Sequence, residues 1–144
     1  MLALENPSWL QDHGEWVRVT SVMDSGCVDC VAPPELAEHV PIVPSAGSRR
    51  GQKYTAASGH NLPNLGEKHL HVVSDVGTES DRKYQIAKVT RPLDSVSAVC
   101  DAGNRVVFGA GGGFIYNIWT HDVTPFPRKG KLYEIHHWLR KKGF

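Results

Sequence analysis

Apolar residues in this chain come in short runs, and most of those runs alternate with polar positions instead of recurring at helical spacing. In EWVRVTSVM, Val17 and Val19 fall on one face and Trp16, Arg18, Thr20 and Val22 on the other, the period of a β-strand. Asp24-Ser25-Gly26 ends that strand with turn-forming residues. KYTAASGHNLPNLG predicts a hairpin, with residues 54–57 as one arm, Ser58-Gly59-His60 as the turn and the chain from Asn61 as the other arm. EKHLHVVSDV alternates, with Leu70 and Val72 opposed to His69, His71 and Val73; DRKYQIAKVTRP is a further strand, stopped by Pro92. NRVVFGAGGGFIYNIWT predicts two strands around a glycine cluster, and KLYEIHHWLR a strand or short helix.

Helical signals are few. SVSAVCDAG predicts a short helix with Ser95 as N-cap and Gly103 beyond its C-terminus. APPELAEHV permits one helical turn with its prolines at the N-terminal end, whereas PSAGSRRGQ reads as a polar loop. The pattern predicts a mainly β domain of short pieces, a sandwich or barrel. It divides into a lead-in over 1–14, the domain over 15–138 and a basic tail over 139–144.

Composition narrows the setting. The 144 residues make one domain, long enough to bury a core without disulfides or metal. A formal charge of +1 gives no field that selects nucleic acid. No apolar run reaches the roughly 18 residues of a membrane span, and the N-terminal residues lack the pattern of a signal peptide. Three cysteines are not a disulfide framework. Free thiols in an intracellular compartment, the cytoplasm, are expected, with no membrane partner and no cofactor.

Asp24 is the residue with chemistry to explain. Asp-Ser-Gly alone is common turn punctuation. The same triplet after a buried strand also suits an acid protease. There a carboxylate sits at a tight turn, a hydroxyl braces the loop, and a glycine follows where a Cβ would crowd its neighbour. Two such carboxylates brought together share one proton, because like charges at that distance cannot both ionise.

VMDSG resembles the active-site segment of retropepsin-like aspartic proteases. RPLDSVSAVCDAGNRVVF is similar to the segment closing the protease region of copia-type retrotransposon polyproteins, in which a Leu-Ser-Val-Ser run leads into a helix, a glycine and an apolar strand. YTAASGHNLPNLGEKHLHVV resembles the flap region of that family, and GFIYNIWT with RKGKLYEI its final hairpin and glycine-led strand. Single-domain copies in protist genomes such as those of dinoflagellates look alike. The likeness spans about residues 16–136.

The resemblance implies a closed β-barrel of the retropepsin type with one or two short helices. It implies Asp24 as catalytic aspartate, Ser25 as its hydroxyl support and Gly26 as the tight-turn glycine. Ala57, Ser58, Gly59 and His60 would form the flap over a peptide or polyprotein substrate. Leu93, Ser95 and Val96 would back the active-site loop. The chain holds one Asp-Ser-Gly, so the family implies a C2 homodimer. Three positions depart from its pattern: Cys27 after the glycine, His60 in the flap, and Asp94 where an apolar residue is usual. A charge at Asp94 would disfavour ionisation of Asp24 or would itself be neutralised; it could instead face solvent or the helix N-terminus. These departures motivate an alternative, a catalytically inactive peptide-binding or dimerisation module.

Other constellations weigh less. Cys27-x-x-Cys30 has zinc or redox spacing, but no second pair of ligands at metal spacing accompanies it; no metal site is expected. Cys27 with a histidine and an aspartate would make a nucleophile system only if the fold brought them together. GAGGGF lacks the Lys-Ser/Thr of a phosphate loop. RKKGF reads as a solvated tail, not an RNA contact.

Overall fold

Valine, isoleucine and aromatic residues in short runs, cut by glycine and proline, form strands because their side chains pack on a pleated surface. The computed structural model describes residues 6–142, which form twelve strands and two short helices. The first five residues of the expected lead-in and the last two of the expected tail lie outside that range. The strands are β1 (Leu10–His13), β2 (Trp16–Asp24), β3 (Val31–Ala32), β4 (Lys53–Thr55), β5 (Asn61–Pro63), β6 (Gly66–Ser74), β7 (Glu79–Ile86), β8 (Leu93–Ser95), β9 (Asn104–Gly109), β10 (Gly112–Asn117), β11 (Val123–Lys129) and β12 (Leu132–Arg140). The helices are α1 (Ala46–Arg49) and α2 (Val96–Asp101). The mainly β class expected from the pattern holds. Among the described residues no helix is long and apolar enough to cross a membrane.

One sheet runs β1-β2-β8-β3-β7-β6-β12-β11-β10-β9, and β4 with β5 forms a separate hairpin. β12 also pairs with β2, so pairing passes from β2 through β8, β3, β7, β6 and β12 back to β2. Within this circuit β8 lies between β2 and β3, parallel to the first and antiparallel to the second. Its register sets Leu93 beside Val22, Asp94 beside Met23 and Ser95 beside Asp24.

Two apolar clusters fill the interior. Val19, Leu36, Leu70, Val72, Tyr84, Ile86 and Leu139 belong to the larger one. Met23, Val99, Ile115, Phe126 and Ile135 form the second, under α2 and the β9–β12 hairpins. Alternation on β6 is as expected: Leu70 and Val72 are buried while His69 is exposed. Gly103 follows α2 at φ +88°, where a Cβ would lie 2.1 Å from the Trp119 ring, so both the backbone and the overlying indole require glycine there.

Four local expectations differ from the structure. The lead-in contains β1, paired with β2 through Leu10–Val19. β12 runs to Arg140 with Leu139 buried, so the first residues of the expected tail belong to the sheet. Residues 45–52 are not all loop, because Ser45 and Ser48 cap each other reciprocally and start α1. Residues 33–40 form turns in place of a helix. Ala37 there has φ +52°, and the buried Lys68 ammonium donates to the carbonyls of Pro34, Leu36 and Ala37 at 3.1, 2.8 and 3.0 Å. Three carbonyls turned toward one cation cannot also point along a helix axis.

Lys68→Met keeps the stem and removes all three donors. It should cost about 2–4 kcal/mol of stability, read from urea unfolding, and speed amide exchange over 33–40 more than elsewhere. Unchanged exchange in that segment would mean the ammonium does not hold the turn.

Candidate active site

The Asp24 loop is built from the end of one strand and clamped by another. Asp24 closes β2 and is half-buried, while Ser25 and Gly26 are exposed. Asp24 Oδ1 accepts the Gly26 amide at 2.8 Å, and Oδ2 accepts the Cys27 thiol at 3.2 Å. A Cβ on Gly26 would stand 3.3 Å from Asp24 Oδ1, a tight approach, in keeping with the crowding expected of that glycine.

The clamp is Ser95. Its hydroxyl donates to the Cys27 carbonyl at 2.7 Å and accepts the Ala98 amide as the N-cap of α2. Its own amide donates to Cys30 Sγ at 3.3 Å. One fully buried residue thus ties the loop at two points and starts the helix behind it. The hydroxyl expected to brace the loop was that of Ser25, which is exposed and makes no hydrogen bond among the described residues. Leu93 pairs with Val22 and Val31, and Val96 packs on the Met23 cluster. All three expected backing residues therefore lie against the loop or the strand that carries it.

The expected flap is the β4–β5 hairpin, with arms slightly shorter than expected. Ala57, Ser58, Gly59 and His60 form its exposed tip, closed by the Gly59 amide on the Ala56 carbonyl at 2.8 Å and by Ser58 Oγ with His60 Nδ1 at 3.1 Å. No hydrogen bond joins the tip to Asp24 among the described residues. The base of the hairpin is moored to the Asp24 loop through Asp29, whose Oδ2 accepts the Tyr54 hydroxyl at 2.9 Å and Gln52 Nε2 at 3.3 Å. Sequence reasoning missed Asp29. Its only signal was a carboxylate inside Cys-Val-Asp-Cys, which drew attention to the cysteines.

Asp94 is neither solvent-exposed nor at a helix terminus in a capping role. It is fully buried and points away from Ser95, since successive residues of a strand project to opposite faces. Oδ1 accepts the Tyr84 hydroxyl at 2.6 Å, Oδ2 bonds His137 Nε2 at 2.8 Å, and Arg82 Nη1 lies 3.7 Å away. Burial by itself would push this carboxyl up. His137 and Arg82 outweigh it and hold the group well below the usual carboxylate range. Asp94 is thus neutralised locally, on the face of β8 opposite the side paired alongside Asp24.

Cys27 and Cys30 are not poised as nucleophiles. Burial, then the neighbouring Asp24 carboxylate, pushes the Cys27 thiol up to about 12. Burial, then Asp94, pushes Cys30 to about 11. A thiolate is disfavoured at both, and a thiolate is what nucleophilic attack requires. His71 lies between Glu79 and Asp81 on the exposed face of β6 and β7, at 2.9 and 3.0 Å. A separate cleft of about 700 Å³ is lined by Asp29, Arg82, Asn104, Asn117 and His137 and includes neither Asp24 nor the hairpin tip. Comparison with family models, with curated proteins and with solved structures returns no match to this chain.

Asp94→Asn leaves the partners of a buried charge uncompensated and should cost about 3–5 kcal/mol. Scanning calorimetry should show a melting temperature lower by on the order of 10 °C. The pH dependence has a definite sign. The folded pKa is depressed, so the stability from Asp94 is complete above the unfolded value of about 3.9 and is lost only as pH falls below it. Wild type should therefore keep this stabilisation from pH 5 to 7, and a variant no less stable than wild type there would remove the cluster from its structural role.

Proposed function

We propose that this chain is an aspartic-type endopeptidase of the retropepsin kind, acting as a homodimer and originating in a retrotransposon polyprotein. The observation that carries the reading is the placement of Asp24. It ends a buried strand, in a loop clamped by a residue of a strand inserted parallel to its own, with a moored hairpin following. The circuit of strand pairings from β2 back to β2 supports a closed barrel of that type.

A single Asp24 supplies one carboxylate, so the reaction needs two chains. One Asp24, ionised, takes a proton from water held between the pair. The other, protonated, gives its proton to the oxygen of the scissile carbonyl, and the hydroxyl adds to the carbon. Collapse of the tetrahedral intermediate returns a proton to the departing amine. The Gly26 amide on Oδ1 orients each carboxylate. The hairpin with Ser58, Gly59 and His60 at its tip covers an extended peptide, and Asp29 fixes where that hairpin starts.

The Cys27 thiol on Oδ2 favours a second reading, an inactive peptide-binding or dimerisation module, because it occupies an oxygen that the shared proton and water would use.

A random peptide library incubated from pH 3 to 7 separates the two. The protease reading expects acid-side cleavage that falls by roughly 10²–10⁴-fold or more in Asp24→Asn and rises faster than linearly with protein concentration. It expects Cys27→Ala to keep activity. A folded dimer that cleaves nothing, with or without Cys27, would sink the enzyme and leave the module.

A further inference from the structure

We propose that the polar cleft lined by Arg82 and His137 binds a basic amino acid through its carboxylate and its side-chain cation, either as the free compound or as the C-terminal residue of a peptide. The inference is independent of the protease reading, since the cleft includes neither Asp24 nor the hairpin tip.

The groups around Asp94 that line this cleft have hydrogen bonding that the fold leaves incomplete. Arg82 and Tyr84 share one face of β7, and both reach Asp94. The Arg82 side chain is only 17% exposed, yet its guanidinium donates no hydrogen bond among the described residues. Its ion-pair partner is Asp94, with Nη1 3.7 Å from Oδ2, beyond hydrogen-bond reach. A guanidinium carries five donors in a planar fork. Sinking it this far with those donors unmatched is costly, and a carboxylate is the acceptor whose shape takes two of them at once.

His137 flanks the same Asp94 oxygen, with Nε2 at 2.8 Å. Asp94 stays ionised and can only accept, so Nε2 carries the ring hydrogen, and Nδ1 of the neutral ring is an acceptor. The side chain is 4% exposed, and Nδ1 makes no hydrogen bond among the described residues. A donor fork and a lone-pair acceptor therefore stand around one oxygen. That pair matches the carboxylate of an amino acid and the N–H on its α-carbon.

The wall formed by α2 and the β10–β11 loop has the opposite sign. Asp101 at the end of α2 and Asp122 before β11 are exposed and line the cleft. Asp101 has no hydrogen bond or ion pair among the described residues, and the Asp122 carboxylate meets only the Thr120 hydroxyl, at 2.8 Å. The amides between them are already engaged: Asn104 donates to the Val99 carbonyl, and Asn117 accepts the backbone amides of Trp119 and Thr120. Acids outnumber bases along the lining. An oxyanion alone is repelled at such a mouth, whereas a ligand that brings its own cation is not. The volume of about 700 Å³ is ample for an amino acid or the end of a peptide.

Calorimetric titration of the full chain with N-acetylarginine should saturate at one site. N-acetylarginine amide lacks the carboxylate and N-acetylalanine lacks the cation, and each should bind at least about tenfold more weakly. Free arginine and a peptide ending in arginine distinguish the two sources by which of them binds more tightly. Asp101→Asn combined with Asp122→Asn should bring N-acetylarginine down to the level of N-acetylalanine and leave the latter unchanged. Arg82→Lys keeps a charge beside Asp94 but loses the fork, and should weaken both by about tenfold with its fold checked by circular dichroism. If that variant does not fold, the Asp101/Asp122 pair decides. No saturable binding, an amide that binds as well as the acid, or binding indifferent to the Asp101/Asp122 pair overturns the inference. So do ligand-induced amide resonance shifts centred on residue 26 and the hairpin instead of on residues 82, 104 and 122.

Discussion

The geometry around Asp24 depends on a different carboxylate. β8 is three residues long and could not hold its place by ladder bonds alone. Asp94, at its centre, binds Tyr84 of β7 and His137 of β12 with the same side chain. Two consecutive strands and one more than forty residues further along the chain are thereby fixed around one buried charge. Removing an ion from water is costly, and only well-placed partners offset it; here a phenol, an imidazole and a guanidinium converge. With Asp94 held, its neighbour Ser95 is held on the other face, and Ser95 clamps the Asp24 loop. One short strand thus turns inward for stability and outward for the site.

The resulting arrangement suits acid chemistry for a physical reason. A catalyst that works through a shared proton between carboxylates must stay folded where carboxylates begin to protonate. The carboxylate on which β8 depends is depressed well below the ordinary range, so it stays charged while exposed acids titrate. Cys27 and Cys30, like ordinary thiols, are protonated across that range. They remain neutral hydrogen-bonding groups, Cys27 as donor to Asp24 and Cys30 as acceptor from Ser95. In this loop the Cys-x-x-Cys spacing serves packing and hydrogen bonding.

Much of the fold was legible because alternation is a local property. Leu70, Val72 and the exposed His69 between their strand neighbours followed from spacing alone, as did Ser95 as an N-cap and Gly103 beyond its helix. What was not legible depended on distant partners. Nothing near residues 33–40 announces Lys68, whose ammonium gathers three of their carbonyls, so a helical turn looked natural there. Leu139 seemed part of a tail because basic residues follow it, yet its strand pairs with β2 and buries it. The site divides in the same way. Asp24 and the hairpin could be picked out by local chemistry, whereas Asp29, as a mooring for Tyr54, and the exchange of the bracing role from Ser25 to Ser95 required the fold.

On the proposed protease reading, one Asp24 supplies half of a two-carboxylate site, and the other half comes from a second chain. Sheet edges are commonly guarded by short strands and charges, and each edge strand here carries one charge, Asp12 on β1 and Arg105 on β9. At β9 the chain leaves Val107 and Phe108 exposed, with the Phe108 ring against Tyr133. An apolar edge costs solubility in the monomer, and that cost is offset if the edge is covered in the working state.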